Sequence, residues 1–139
     1  MSPSKVYVID STAILLYFMG NRRVAEIIDS ILDERAVGYM LEPCVAELFQ
    51  RLTQYLGYTV ASSRLEAIKN SNIRLVNIDF DLIKETGRIK TLNPSMPMLH
   101  AYMIALAKRF NAVIVTADRN IRTSECKIEY IEYTINNLT

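Results

Sequence analysis

Val6-Tyr7-Val8-Ile9-Asp10-Ser11-Thr12-Ala13 opens with a β-branched and aromatic run that stops at an aspartate. Such a run forms a strand, and Asp10, with Ser11, can cap a helix that begins near Thr12. Near the other end of the chain, Ala112-Val113-Ile114-Val115-Thr116-Ala117-Asp118 has the same form, a nearly continuous apolar strand with an aspartate just beyond it. Strands without polar alternation are covered on both faces, as in a parallel sheet with helices above and below.

Between these two stretches the pattern alternates. Val24, Ile27, Ile28, Ile31 and Leu32 recur at helical spacing from Arg22 to Glu34, which marks an amphipathic helix. Val37 to Leu41 reads as a strand. Pro43 stands in the first turn of a helix over Cys44 to Leu56, which stops at Gly57 and carries the stripe Val45, Leu48, Phe49, Leu52 and Leu56. Thr59 to Lys69 continues as helix, Ile73 to Ile78 as strand, and Asp79 caps a helix from Phe80 to Lys90. Pro94 and Pro97 mark a loop before a helix over Leu99 to Phe110 that is apolar almost all round. Ile128 to Ile131 is a last short strand, and the polar residues 136–139 are expected to fray. Without linker, repeat or low-complexity segment, the expectation is one domain over residues 1–139. Its fold class is α/β, a three-layer α/β/α sandwich with a mainly parallel central sheet.

The chain has 139 residues, half of them hydrophobic and 22% charged, enough to bury a core without disulfides or metal staples. Its net charge of +1 creates no chain-wide field toward nucleic acid or anionic membrane, so any nucleic-acid binding rests on a local patch. Cys44 and Cys126 form no CxxC or Cys/His cluster and read as buried thiols of a reducing compartment. The N-terminus lacks a charged region and a long apolar segment and reads as unprocessed. The longest apolar stretches, Ala13 to Gly20 and Leu99 to Ala107, fall short of the about 20 residues a bilayer requires. A cytoplasmic protein with no membrane association is expected.

Parallel α/β sheets bind ligands beyond the carboxyl ends of their strands, and Asp10 and Asp118 both stand where a strand has just ended. Carboxylates gathered in a partly dehydrated crevice repel each other, and a bound cation relieves the repulsion. Oxygen donors of this kind suit hard ions, Mg²⁺ and Mn²⁺ above all. The plainer reading of Asp10 alone is a helix N-cap.

Three segments widen that clue: Val6-Tyr7-Val8-Ile9-Asp10-Ser11-Thr12-Ala13, Pro43-Cys44-Val45-Ala46-Glu47-Leu48, and Ala101-Tyr102-Met103-Ile104-Ala105-Leu106-Ala107 followed by Val113-Ile114-Val115-Thr116-Ala117-Asp118. In order and spacing they resemble the successive motifs of PIN-domain proteins, over nearly the whole chain. The resemblance implies a parallel-sheet α/β/α fold, an acidic pocket for Mg²⁺ or Mn²⁺, and metal-dependent endoribonuclease activity. It also implies likeness to small VapC toxins, with RNA as substrate, an antitoxin protein as partner and a homodimeric state. Asp10, Glu47 and Asp118 match the family's catalytic, metal-binding carboxylates. Thr116 matches the hydroxyl residue of the last turn, with Ser11 and Asn120 in support.

Several positions pull against a simple transfer. On a helical wheel Glu47 lies opposite its helix's apolar stripe, so periodicity alone makes it a solvated glutamate; Glu42 is a lower-ranked substitute. His100, the only histidine, stands where the family has an acidic residue, and reads equally as a core or cap histidine. As a ligand it would shift preference toward Mn²⁺ or softer ions. Asn120 occupies a second position that is often acidic, which weakens a second metal. Arg119 and Arg122, beside Asp118, are the best cations for RNA, and Lys84, Arg88, Lys90, Lys108 and Arg109 could extend a phosphate-contacting rim.

Other doubly wound chemistries lack their signatures. No GxGxxG follows the first strand, no GxxxxGK[ST] occurs, and Thr12 replaces the second aspartate of a dehalogenase-like phosphatase. The remaining rival is a catalytically inactive PIN-like module for RNA binding or protein interaction.

Overall fold

A run such as Val6 to Ile9, apolar on both of its faces, is stable only inside a sheet, and β1 (Lys5–Ile9) lies at the sheet's centre. The computed structural model describes residues 4–133; the expected fraying of residues 136–139 and the reading of Met1 to Pro3 fall outside them. After β1 come α1 (Ser11–Phe18), α2 (Arg22–Leu32), β2 (Ala36–Leu41), α3 (Glu42–Leu56) and α4 (Tyr58–Lys69). The chain continues with β3 (Arg74–Val76), α5 (Phe80–Leu92), α6 (Met98–Phe110), β4 (Val113–Thr116) and β5 (Lys127–Tyr130).

The strands are ordered β3-β2-β1-β4-β5 and every neighbouring pair is parallel, which bears out the α/β sandwich with a parallel sheet. Crossovers between parallel strands are right-handed. The chain builds leftward from β1 to β3 and then jumps past β1 to β4, so α1 to α4 pack together on one face and α5 with α6 on the other. The order reverses between β1 and β4. That is the topological switch point, where the strand ends splay and leave a crevice.

Two-sided burial explains the composition of the central elements. Val8, Ile9, Ile114 and Val115 are fully enclosed, and α6 buries Ala101 and every residue from Met103 to Ala107. Gly38 in β2 meets α2 at unusually short range: a Cβ there would lie 2.6 Å from Ile31 Cδ1 and 3.1 Å from Ile9 Cδ1.

Element ends differ from expectation for local reasons. α1 starts at Ser11, because Asp10 alone serves as its cap, and α3 starts at Glu42, where β2 passes into helix without an intervening loop. α2 ends at Leu32, and Glu34, expected to be helical, has φ +61°. Leu32 and Leu56, expected in the core, are exposed; each is the last residue of its helix, where the chain turns away. Among the described residues no helix is long and apolar enough to cross a membrane.

Candidate active site

β1 delivers Asp10 to the switch point with its carboxylate already spoken for on both sides. Oδ1 accepts from the Ser11 backbone N–H at 2.8 Å, and Oδ2 accepts from the Thr12 and Thr116 hydroxyls, each at 2.7 Å. Capping therefore occupies one oxygen, and the other is aimed by hydroxyls from α1 and from the end of β4. The Thr12 hydroxyl also accepts from the Ala117 N–H at 2.9 Å, and that of Thr116 accepts from the Asp118 N–H at 2.9 Å. Two of these bonds, from the Thr116 hydroxyl to Asp10 and from the Ala117 N–H to Thr12, join the ends of β1 and β4.

Glu47 reaches the same place from α3. α3 packs on α1, and Glu47 Oε1 accepts a hydrogen bond from the Ser11 hydroxyl. Arg51, one turn further along α3, places its guanidinium 3.9 Å from the same oxygen. Glu42 is exposed at the start of that helix. Cys44 is fully buried below; burial pushes its thiol up, and the Asp10 and Glu47 carboxylates push it further in the same direction. One thiol thus feels both acids, and it is an inert packing group rather than a nucleophile.

Asp118 closes the cluster. Its Oδ1 accepts from the Asn120 N–H at 2.9 Å, so Asn120 contributes backbone while its side chain stays outside. Its Oδ2 lies 3.3 Å from His100 Nε2, and His100 sits in the first turn of α6, whose N-terminus favours an adjacent carboxylate. Among the described residues, the buried His100 Nδ1 has no hydrogen-bond partner. Asp10 is 4% exposed, whereas the side chains of Glu47 and Asp118 are 34% and 31% exposed. The arrangement is a buried acid at the floor with two accessible acids at the rim.

Among the described residues, no three of His, Cys, Asp and Glu approach closely enough to form a ready ligand cage. Mg²⁺ needs none: it keeps several waters and is held through one or two carboxylates. The oxygen-only set of Asp10, Glu47 and Asp118 fits such an ion in chemistry, and His100 adds a nitrogen beside Asp118.

The cations named in the sequence divide sharply. Arg119 and Arg122 are exposed on the turn after β4; Arg119 contacts Glu132 at 3.2 Å and lies 4.9 Å from the Tyr130 ring centre. Arg122 donates to the Arg119 carbonyl. Arg88 and Lys108 are bound to Glu85 and Glu125, Arg109 to Asp79, and Lys90 to the Pro94 and Met96 carbonyls. Those four are engaged by these partners, and Lys84 is exposed on α5. Thr12, Arg51 and Tyr55 were not singled out as site residues, although Glu47, Arg51 and Tyr55 recur every four residues and so share one row of α3.

The family model for the PIN domain matches residues 7–124. No curated protein matches the sequence. The fold is similar to that of DNA-bound VapBC2 from Rickettsia felis, with TM-score 0.72 and 12% identity over 91% of this chain and 99% of that one. DNA-bound VapBC from Salmonella typhimurium gives TM-score 0.71 and 16% identity over 92% and 98%. VapC20 from Mycobacterium tuberculosis, described as a toxin that cleaves the sarcin-ricin loop, gives 0.61 and 12% over 78% and 86%. At these identities the likeness is one of fold. With the family match spanning most of the chain and two strand-end aspartates joined by threonine hydroxyls at the switch point, the chain belongs to the PIN-domain family.

Proposed function

We propose that this single domain, residues 1–139, is a divalent-metal-dependent endoribonuclease of the PIN type and the toxin of a toxin–antitoxin pair. The observation that supports the reading is the run of hydrogen bonds that links Glu47, Ser11, Asp10, Thr116 and the Asp118 N–H at the carboxyl ends of β1 and β4. A cluster of acids with two of them accessible is costly unless it has a cation to hold.

Asp10, Glu47 and Asp118 would hold Mg²⁺ or Mn²⁺ through oxygen atoms and bridging waters. When bound, the ion supplies an activated water and a positive centre for the charge that develops on the phosphorane. Ser11, Thr12 and Thr116 fix the carboxylate orientations, and Arg119 and Arg122 on the neighbouring turn meet RNA phosphates. His100 offers nitrogen where an acid would offer oxygen, which favours Mn²⁺ over Mg²⁺. Without an acidic side chain at Asn120 a second ion has little to hold it.

A structural neighbour described as a toxin–antitoxin complex from Klebsiella pneumoniae supports an antitoxin partner. A homodimer and a cytoplasmic location are part of the same reading. The second reading is a PIN-like module without catalysis that binds RNA or protein, and it rests on His100 and Asn120.

The test is cleavage of a labelled structured RNA in Mg²⁺, in Mn²⁺ and in chelator, with Asp10→Asn and His100→Asp alongside. Cleavage that requires metal and disappears in Asp10→Asn is expected. An inert native chain beside an active His100→Asp would establish the second reading, and no cleavage by either would remove the enzyme reading.

A further inference from the structure

A groove of about 490 Å³ adjoins the acidic cluster through Asp118. Thr12 and Asp118 form the end that it shares with the candidate site. Leu15 and Leu16 of α1 with Met19 just past its end line one part of the groove, and Arg51 and Tyr55, which follow Glu47 in one row of α3, line another. Met19 is 41% exposed and Tyr55 76% exposed. Arg119 also lines the groove.

Each part has a cost if it serves nothing. An open tyrosine ring beside an exposed methionine leaves apolar area in water. Arg51 faces Glu47 at 3.9 Å across a partly exposed surface, a separation too long for a hydrogen bond, so its guanidinium keeps donors for another anion. A flat apolar face with an anion one helical turn away is the outline of a nucleotide, and the volume lies within the range of small-ligand sites. Single strands are held in this way, by aromatic faces on which bases stack and cations that follow the backbone.

The geometry points to this groove as the seat of the nucleotide that flanks the cleaved bond in single-stranded RNA, with its base on Tyr55 and Met19 and its phosphate at Arg51. The assignment rests on the ribonuclease reading and adds which side of the site the strand occupies. It also makes Tyr55 and Arg51 determinants of binding that do not touch the reacting atoms. Stacking tolerates any base, so the subsite selects an unpaired nucleotide rather than a sequence.

The test measures binding and cleavage separately. Fluorescence anisotropy with a short labelled single-stranded oligoribonucleotide, in chelator at low salt, compares the native chain with Tyr55→Ala, Tyr55→Phe and Arg51→Gln. Tyr55→Ala is expected to weaken binding about tenfold and Tyr55→Phe to leave it unchanged. Arg51→Gln should reduce the slope of log affinity against log salt by about one contact. Circular dichroism confirms that the variants fold, which the exposure of Tyr55 favours. Unchanged affinity in both Tyr55→Ala and Arg51→Gln, or a native chain that binds no single-stranded RNA, overturns the subsite. Cleavage in Mn²⁺ with unchanged binding in the variants overturns the subsite and leaves the nuclease reading standing. Variant-sensitive binding without cleavage overturns the nuclease reading and supports the groove as an RNA seat.

Discussion

Thr12→Val removes one hydroxyl and almost no volume, and the structure allows its cost to be worked out. The hydroxyl donates to Asp10 Oδ2 at 2.7 Å and accepts from the Ala117 N–H at 2.9 Å. A bond to a charged acceptor contributes about 1.5–3 kcal/mol, and a buried N–H left without a partner costs about 1–3 kcal/mol. Asp10 keeps two other donors and Thr12 is partly accessible, so the lower halves of both ranges apply, for a total of about 3 kcal/mol. Valine and threonine have similar helix propensities, so α1 itself is not the source of the loss. For a chain of this length the change corresponds to a fall of about 10 °C in unfolding temperature. Thermal and urea unfolding of native protein, Thr12→Val and Thr12→Ser measure it, and Thr12→Ser should recover most of the loss. A Thr12→Val protein within about 0.5 kcal/mol of native would refute the claim that this hydroxyl ties the ends of β1 and β4.

Gly38→Ala should destabilise by about 1–2 kcal/mol, because a new methyl group 2.6 Å from the buried Ile31 Cδ1 forces overpacking between β2 and α2; urea midpoints check it, and an unchanged midpoint would mean α2 yields freely. Arg88 and then Lys108 hold the Glu85 carboxyl down from 4.5 to about 2, and Lys108 and Arg88 lower Glu125. A depressed carboxylate contributes stability above its unfolded value and loses it as pH falls through the folded one. Stability should therefore drop between about pH 4.5 and about pH 2, by a modest amount because these groups are screened by solvent. Glu85→Gln should be less stable at pH 7 and have a shallower acid limb, whereas parallel pH curves would exclude this cluster as the cause. Mn²⁺ should raise the unfolding temperature of the native chain by preferential binding to the folded state, and Asp10→Asn should abolish the rise; an equal rise in both would place the ion elsewhere.

Much of this protein is written in local sequence. Periodicity locates the helices, the unalternating runs at Val6 to Ile9 and Val113 to Thr116 demand strands covered on both faces, and a strand that stops at an aspartate places that aspartate at a sheet's carboxyl end. Asp10 and Asp118 were legible for that reason, and helix ends were less so because single residues such as Leu32 and Leu56 turn outward where the helix stops. Convergence was not legible. Whether Glu47 faces water or another helix depends on which face of α3 meets α1, and periodicity, which reports only the apolar side, says nothing about what covers the polar one. Thr12 looked like a missing acid rather than a brace, because its partner Ala117 belongs to a distant part of the chain. The same holds for the groove: the sequence supplies Arg51 and Tyr55 one helical turn apart, but only packing of α3 beside α1 and the β4 turn brings them into line with Asp118. Hydrogen-bonding and apolar preferences act over a few residues and decide elements; the site exists only where several of those elements end together.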